Sequence, residues 1–207
     1  MPPLIYLLRH GEIDTPTPRR FLGQSDLPLN DNGILQATRL GKTLSPIAFG
    51  HVYASPLLRA IQTATLVSGR PQEIQPVEAF QEINLGVWEG LSVAEVRERF
   101  PGAYEKRGQD LAHFRPPEGE SFADVAARAL PMLFDIARSC TGPVLIVAHA
   151  GVNRALLSCL QRLPLGNLLD IPQDYCGINL LAKEGDNLRV QAVNHIPWAN
   201  QGEMALS

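Results

Sequence analysis

The sequence predicts an α/β fold, a three-layer αβα sandwich with a mostly parallel central sheet. Two observations carry this. Wholly apolar runs such as Leu4 to Leu8 and Val144 to Ala148 read as strands buried on both faces, because a strand with one wet face alternates polar and apolar residues. Segments with helical punctuation follow these runs in turn, and strands alternating with helices build a covered, mainly parallel sheet. A length of 207 residues suits one domain over 1–207, with a small cap insertion around 84–119, where the pattern is weakest.

The first strand, Leu4 to Leu8, stops at Arg9-His10-Gly11-Glu12. A loop punctuated by Pro16, Pro18, Gly23 and Pro28 follows. A helix is expected from about Asn30, with Leu35, Leu40 and Leu44 along one broad face. Val52 to Ser55 reads as the second buried strand. Ser55-Pro56 predicts a helix start, a hydroxyl cap and then a proline whose missing N–H costs nothing at the first helical position. That helix should reach about Val67. Ser92 with Glu95, and Ser121 with Asp124, are capping-box signals ahead of helices to Arg99 and Arg138. Pro131 should kink or restart the second of these. Val144 to Ala148 is then a strand, Val152 to Leu163 a helix, and Ile178 to Ala182 and Leu188 to Val193 two late strands joined through Gly185, Asp186 and Asn187.

Composition excludes several classes. Hydrophobic residues make up 45% and charged residues 19%, which suits a globular chain. The longest apolar stretches fall far short of the ~20 residues of a membrane span. The net charge is −3 and there is no basic run, so no nucleic-acid partner is expected. Cys140, Cys159 and Cys176 form no CxxC pair and read as buried free thiols in a reducing compartment. Met1-Pro2-Pro3-Leu4 carries no signal-peptide pattern, and a cytoplasmic location is expected. The sequence leaves open whether the chain pairs as a homodimer.

The chemistry gathers at strand ends. His10 follows the first strand and His149 follows Val144 to Ala148, each with a glycine at or near the next position, Gly11 and Gly151. Ligands of open α/β sheets bind beyond the carboxyl ends of the strands, so two histidines delivered there can face one pocket. Arg9 adjoins His10, and Arg59 lies in the first turn of the helix after the second strand. Arginine forks match phosphate oxygens, and helix N-termini add partial positive charge. The set describes a site for a phosphate dianion. No HExxH or CxxC spacing is present and an adjacent arginine repels a cation, so no metal is expected.

At this point the residues carry a resemblance. Leu8-Arg9-His10-Gly11-Glu12 resembles the signature of the histidine phosphatase superfamily, the phosphoglycerate mutase-like family. Five further segments resemble its blocks in order: Gly23 to Asn30 with Gly33 and Gln36-Ala37; Ser55 to Ala64; Glu82 to Gly90; Gly119-Glu120-Ser121; and Val147 to Gly151. The resemblance implies a phosphoglycerate mutase-like fold and a role at each matching position. His10 matches the nucleophile that becomes phosphohistidine. Arg9, Arg59 and His149 match residues that hold the phosphoryl oxygens, and Glu82 the carboxyl that protonates the leaving group. Gly11, Gln24 and Ala150 complete the expected substrate-binding set. Ile13 and Pro16 stand where the family often has threonine and asparagine, which removes one phosphoryl contact, and Gln24 is a candidate to replace it.

The expected activity is hydrolysis of a small-molecule phosphate ester, without metal or cofactor. Mutases of the family carry extra enclosing segments, for which 90–119 leaves little room. A sugar phosphate or bisphosphate phosphatase shares the same blocks. A different class, an inactive module binding phosphate groups or proteins, has no need of Glu82. Arg19 and Arg20 are candidates to meet an anionic substrate, or are solvated charges. Trp88 is read as packing or pocket wall, and His51, His113 and His195 as outside the site.

Overall fold

The computed structural model describes residues 4–198. Met1 to Pro3, on which part of the signal-peptide expectation falls, lie outside the described residues.

Four strands run parallel: β1 (Leu4–Arg9), β2 (His51–Ala54), β3 (Ile74–Pro76) and β4 (Val144–Ala148). An antiparallel hairpin of β5 (Ile178–Glu184) and β6 (Asn187–His195) turns at Gly185-Asp186 and completes the sheet on the β1 side. The order is β3-β2-β4-β1-β5-β6. Helices α1 (Asp31–Leu44) and α2 (Leu58–Ser68) cover one face, and α5 (Phe122–Ser139) and α6 (Ala150–Leu160) the other. β4 explains why its run is continuously apolar. Val144, Ile146 and Ala148 belong to the core under α5 and α6, while Leu145 and Val147 belong to the core under α1 and α2. The three-layer α/β sandwich expected from the sequence is the observed fold.

Between β3 and α5 lie two short helices, α3 (Val93–Arg99) and α4 (Ala103–Gln109). Trp88 anchors this segment as packing, its ring 5.2 Å from that of Phe21 and 5.3 Å from that of Phe114. Both capping boxes form reciprocally, Ser92 with Glu95 and Ser121 with Asp124, each cap contributing on the order of ~1 kcal/mol.

Two local expectations are corrected and a third, the kink or restart at Pro131, is narrowed. Leu35 is 68% exposed, and the buried positions of α1 are Gly33, Ala37, Leu40 and Leu44. Leu35 sits about 140° around the helix from Leu40, so the two cannot share a face. Helix α2 starts at Leu58 rather than at Pro56, with no side-chain cap; the Ser55 hydroxyl accepts from the Leu57 N–H at 3.3 Å, ahead of the helix, and also meets His149. Helix α5 passes through Pro131 without restarting. Its ring removes one N–H from the ladder, and the carbonyl that loses its donor belongs to exposed Ala127, where water can replace it. The short strand β3 and helix α4 have no counterpart in the sequence reading.

The register sets the site. β1 and β4 pair directly, with Arg9 opposite Ala148, and the His10 N–H donates to the Ala148 carbonyl at 3.1 Å. β2 adjoins β4 on the other side, and the Ser55 N–H donates to the Val147 carbonyl at 2.9 Å. Three neighbouring parallel strands therefore deliver His10, His149 and Ser55 to one carboxyl edge, where open α/β sheets bind ligands.

Candidate active site

His10 and His149 meet as their strand positions require, with ring centroids 5.1 Å apart. His10 Nδ1 lies 2.7 Å from the carbonyl of Gly11. A carbonyl only accepts, so Nδ1 carries the hydrogen and Nε2 keeps its lone pair. His149 is fully buried, its Nε2 2.7 Å from Ser55 Oγ and its Nδ1 without a protein partner. Burial holds both rings well below the ordinary histidine value of 6.5, and the Arg59 and Arg9 guanidiniums push the same way. Both are neutral at physiological pH.

This has a consequence for stability. A histidine depressed in the folded state binds its proton more readily when unfolded, so the unfolded chain takes up more protons below about pH 6.5. The stability these sites contribute is complete above that pH and falls as the pH drops toward the folded-state values. The melting temperature should decline from pH 7.5 to pH 5.5, and the decline should be shallower in His149→Gln. Parallel declines in the two proteins would show that the buried rings do not set it.

The two arginines are held by the backbone. Arg9 Nη1 donates to the Gln173 carbonyl at 2.6 Å. Arg59 donates to the carbonyls of Ser25 at 2.7 Å and Gly23 at 2.7 Å. The loop carrying those carbonyls is organised by one carboxylate. Glu89 accepts from the N–H groups of Gly23, Gln24 and Ser25 and from the Ser25 hydroxyl at 2.6 Å. The Gly23 and Glu89 blocks thus act together on Arg59. Arg9 Nε, Arg59 Nε and His149 Nδ1 are all buried without a protein partner. Buried polar groups of native proteins are almost always paired, and an anion between the arginines gives both donors a partner.

Glu82 enters from the loop after β3. Its carboxylate accepts from the N–H of Ile83 at 2.9 Å and of Gly151 at 3.1 Å. Glycine at 151 leaves room for this, since a Cβ there would displace the Glu82 carboxylate. The Glu82 carbonyl accepts from Gln24 Nε2 at 3.0 Å and from Arg128 at 3.3 Å, and Arg128 pairs with Glu120 at 2.8 Å. Gln24 is therefore tied behind Glu82, and is not among the residues lining the cleft. Glu12 is likewise turned away. Its carboxylate accepts from Asn30 at 3.1 Å and Asn32 at 2.6 Å, fastening the His10 loop to the start of α1.

The cleft has a volume of about 470 Å³, and Arg9, His10, Arg59, Glu82 and Ala150 line it. Gly11 lies under it, its N–H donating to Thr63 Oγ1 at 3.0 Å. Ile13, from the position where the family often has threonine, lines the wall, as do Arg19 and Arg20, while Pro16 does not. Arg20 is committed to Glu95 at 2.8 Å and to the Gly90 carbonyl at 2.7 Å. Sequence reasoning missed Tyr175, Arg107 and Arg154, which also line the cleft. His51, His113 and His195 are not among its lining residues. Among the described residues, no group of three His, Cys, Asp or Glu side chains is placed to hold a metal ion, and no helix is long and apolar enough to cross a membrane. A neutral imidazole with a free nitrogen, two guanidiniums and a carboxyl group in one cleft can carry out phosphoryl transfer.

Comparison with known proteins agrees with this geometry. The family model described as "Histidine phosphatase superfamily (branch 1)" matches residues 5–196. A glucosyl-3-phosphoglycerate phosphatase of Mycolicibacterium vanbaalenii is 34% identical over 174 residues, covering 79% of this chain and 76% of that one. The bifunctional 6-phosphofructo-2-kinase/fructose-2,6-bisphosphatase of Arabidopsis thaliana is 35% identical over 82% of this chain, but the chain spans only 22% of its length. Among solved structures, Bacillus stearothermophilus YhfR superposes with a TM-score of 0.84 at 33% identity, over 93% of this chain and 97% of that one. The alpha-ribazole phosphatase of Shigella flexneri superposes with a TM-score of 0.84 at 25% identity, over 93% and 96%.

Proposed function

The chain belongs to the histidine phosphatase superfamily, and from that membership we propose that it hydrolyses small-molecule phosphate monoesters through a phosphohistidine at His10. The observation that carries this proposal is His10 itself: a neutral ring, hydrogen-bonded through Nδ1 so that Nε2 is the free nitrogen, buried beside Arg9 and Arg59. The Nε2 lone pair attacks phosphorus in line, and the bond from phosphorus to the alcohol oxygen breaks. Arg9 and Arg59 meet the charge on the non-bridging oxygens, with His149 behind them. Glu82 gives its proton to the departing alkoxide. Its carboxylate then takes a proton from water as that water attacks phosphorus, the N–P bond breaks, and orthophosphate leaves.

The arginines supply the positive charge that a dianion needs, so the reaction requires neither metal nor cofactor. Activity should survive a chelator, and vanadate, a mimic of five-coordinate phosphorus, should inhibit. Loss of activity in chelator that zinc or magnesium restores would overturn this mechanism.

The segment around 84–119 acts as the cap, since Leu85, Val93, Tyr104 and Arg107 reach the cleft from it. For the alcohol half, the likeness to alpha-ribazole phosphatase favours alpha-ribazole 5′-phosphate. A specific observation favours a second choice: Arg19, Arg107 and Arg154 line the cleft in addition to Arg9 and Arg59. They suit an alcohol that bears its own anion, as glucosyl-3-phosphoglycerate and fructose 2,6-bisphosphate do. Phosphate release from these three esters, with 3-phosphoglycerate isomerisation followed in parallel, tests the proposal. Hydrolysis of at least one, faster than isomerisation, is expected. Isomerisation outpacing hydrolysis would make the chain a mutase. No release from any of them would favour a binding module.

A further inference from the structure

Arg9 is gripped by a segment that none of the family-like blocks contains. Residues 172–177 cross beside the end of β1, and the Cys176 N–H donates to the His10 carbonyl at 3.3 Å. Gln173 offers its carbonyl to Arg9 Nη1 at 2.6 Å. Two residues on, the Tyr175 ring packs against the guanidinium, with Arg9 Cζ over the ring at 3.7 Å from its centroid. The same ring is 5.7 Å from that of His10.

The segment is itself pinned from below. The Gln173 side chain is buried and accepts from Asn153 on α6 at 3.0 Å and from Asn179 on β5 at 3.0 Å, while donating to Asn179 Oδ1 at 2.8 Å. Asn179 also donates to the Leu7 carbonyl on β1 at 3.0 Å. Three buried amides thus join a helix, two strands and the segment bearing Tyr175. Asn153 Oδ1 is left without a partner, but the shared hydrogen bonds of Gln173 and Asn179 fix the geometry of the segment.

An arginine held by one terminal nitrogen can still swing about that bond. A ring packed over Cζ at this distance restricts that swing. We propose that Tyr175 is a positioning residue for Arg9, its ring setting the guanidinium plane in which the buried Nε faces a phosphoryl oxygen. This rests on the proposed function for what the oxygen belongs to, but needs only that the cleft binds phosphate. The aromatic face carries most of the effect, and the phenol group, which also favours the Arg9 charge, the smaller part.

The test is the affinity of the intact protein for orthophosphate, measured by calorimetry without turnover. Tyr175→Leu should weaken it roughly tenfold, the scale of a desolvated cation–π contact, and Tyr175→Phe should leave it within about twofold. Phenylalanines of increasing fluorination at position 175 keep the ring's shape and drain charge from its face, so affinity should fall stepwise along that series. They also serve should the leucine variant fail to fold. Unchanged orthophosphate affinity in Tyr175→Leu, with altered preference among alcohols, would make the ring a substrate contact and overturn the proposal. Equal loss in Tyr175→Phe, or no trend with fluorination, would overturn it too. If the wild-type protein binds orthophosphate but releases none from any ester, the hydrolase proposal fails while this one stands. If it binds no orthophosphate, both fail.

Discussion

Replacing His10 with alanine should abolish turnover, lowering kcat/KM for any phosphate ester at least ~10⁴-fold. The other histidine of this edge and the nearby carboxylates Glu12 and Glu89 are engaged elsewhere. His149 is fully buried, with its Nε2 engaged by Ser55. Glu12 is held by Asn30 and Asn32, and Glu89 by the loop at 23–25. The variant should still fold and still bind orthophosphate. The groups proposed to meet the phosphate, Arg9 and Arg59, are anchored by backbone carbonyls and not by His10. Loss of activity with binding retained separates a missing reacting atom from a collapsed site. Activity within tenfold of the wild type would remove His10 from the reaction.

The second large effect is selective. An alkyl alkoxide is strongly basic and leaves poorly without a proton, whereas p-nitrophenolate leaves readily as an anion. Protonating the leaving oxygen should be worth ~10²–10⁴ in rate for the first and little for the second. Glu82→Gln should therefore slow phosphoenzyme formation far more from an alkyl phosphate than from p-nitrophenyl phosphate. The comparison must be made within the variant. Both Glu82 oxygens accept backbone N–H groups, from Ile83 and Gly151, and a glutamine offers only one accepting oxygen. Some general loss is expected from that mismatch alone, and it cancels in the ratio between substrates. The burst phase is the quantity to follow, because the proposed second step also uses Glu82, to activate the water. Equal losses on both substrates would leave Glu82 a positioning role only.

The two histidines were legible in the sequence because each sits at a place with its own local signal, whereas Glu82 was legible only through the family resemblance. His10 and His149 end apolar runs that could only be buried strands, and parallel pairing of β1 with β4 brings the two ends together. The capping boxes at Ser92 and Ser121 are local too, written in residues three apart, and both form. Reading failed where a side chain's partner lies far along the chain. Ser55 ahead of Pro56 has the pattern of a helix cap, but its hydroxyl turns to Leu57, one residue short of the helix, and to His149, distant in sequence. Gln24 seemed free to reach the substrate, yet the Glu82 carbonyl holds it. Leu35 was a matter of phase: leucines at 40 and 44 share a face and 35 does not. Tyr175, Arg107 and Arg154 carry no local mark, and only the folded sheet edge brings them to one cleft. The edge strand β3, three residues ending in Pro76, is too short and too polar to announce itself.

The central claim is the covalent intermediate, and trapping it is the most direct test. Protein mixed with radiolabelled phosphate ester and quenched in base should carry up to one label per chain. A phosphoramidate survives base and is lost in acid, and peptide mapping at high pH should place the label on His10. His10→Ala should carry none. Label that resists acid and falls away in base, as a phosphoserine does, or label absent while the wild-type protein still releases phosphate in the burst, would contradict the account.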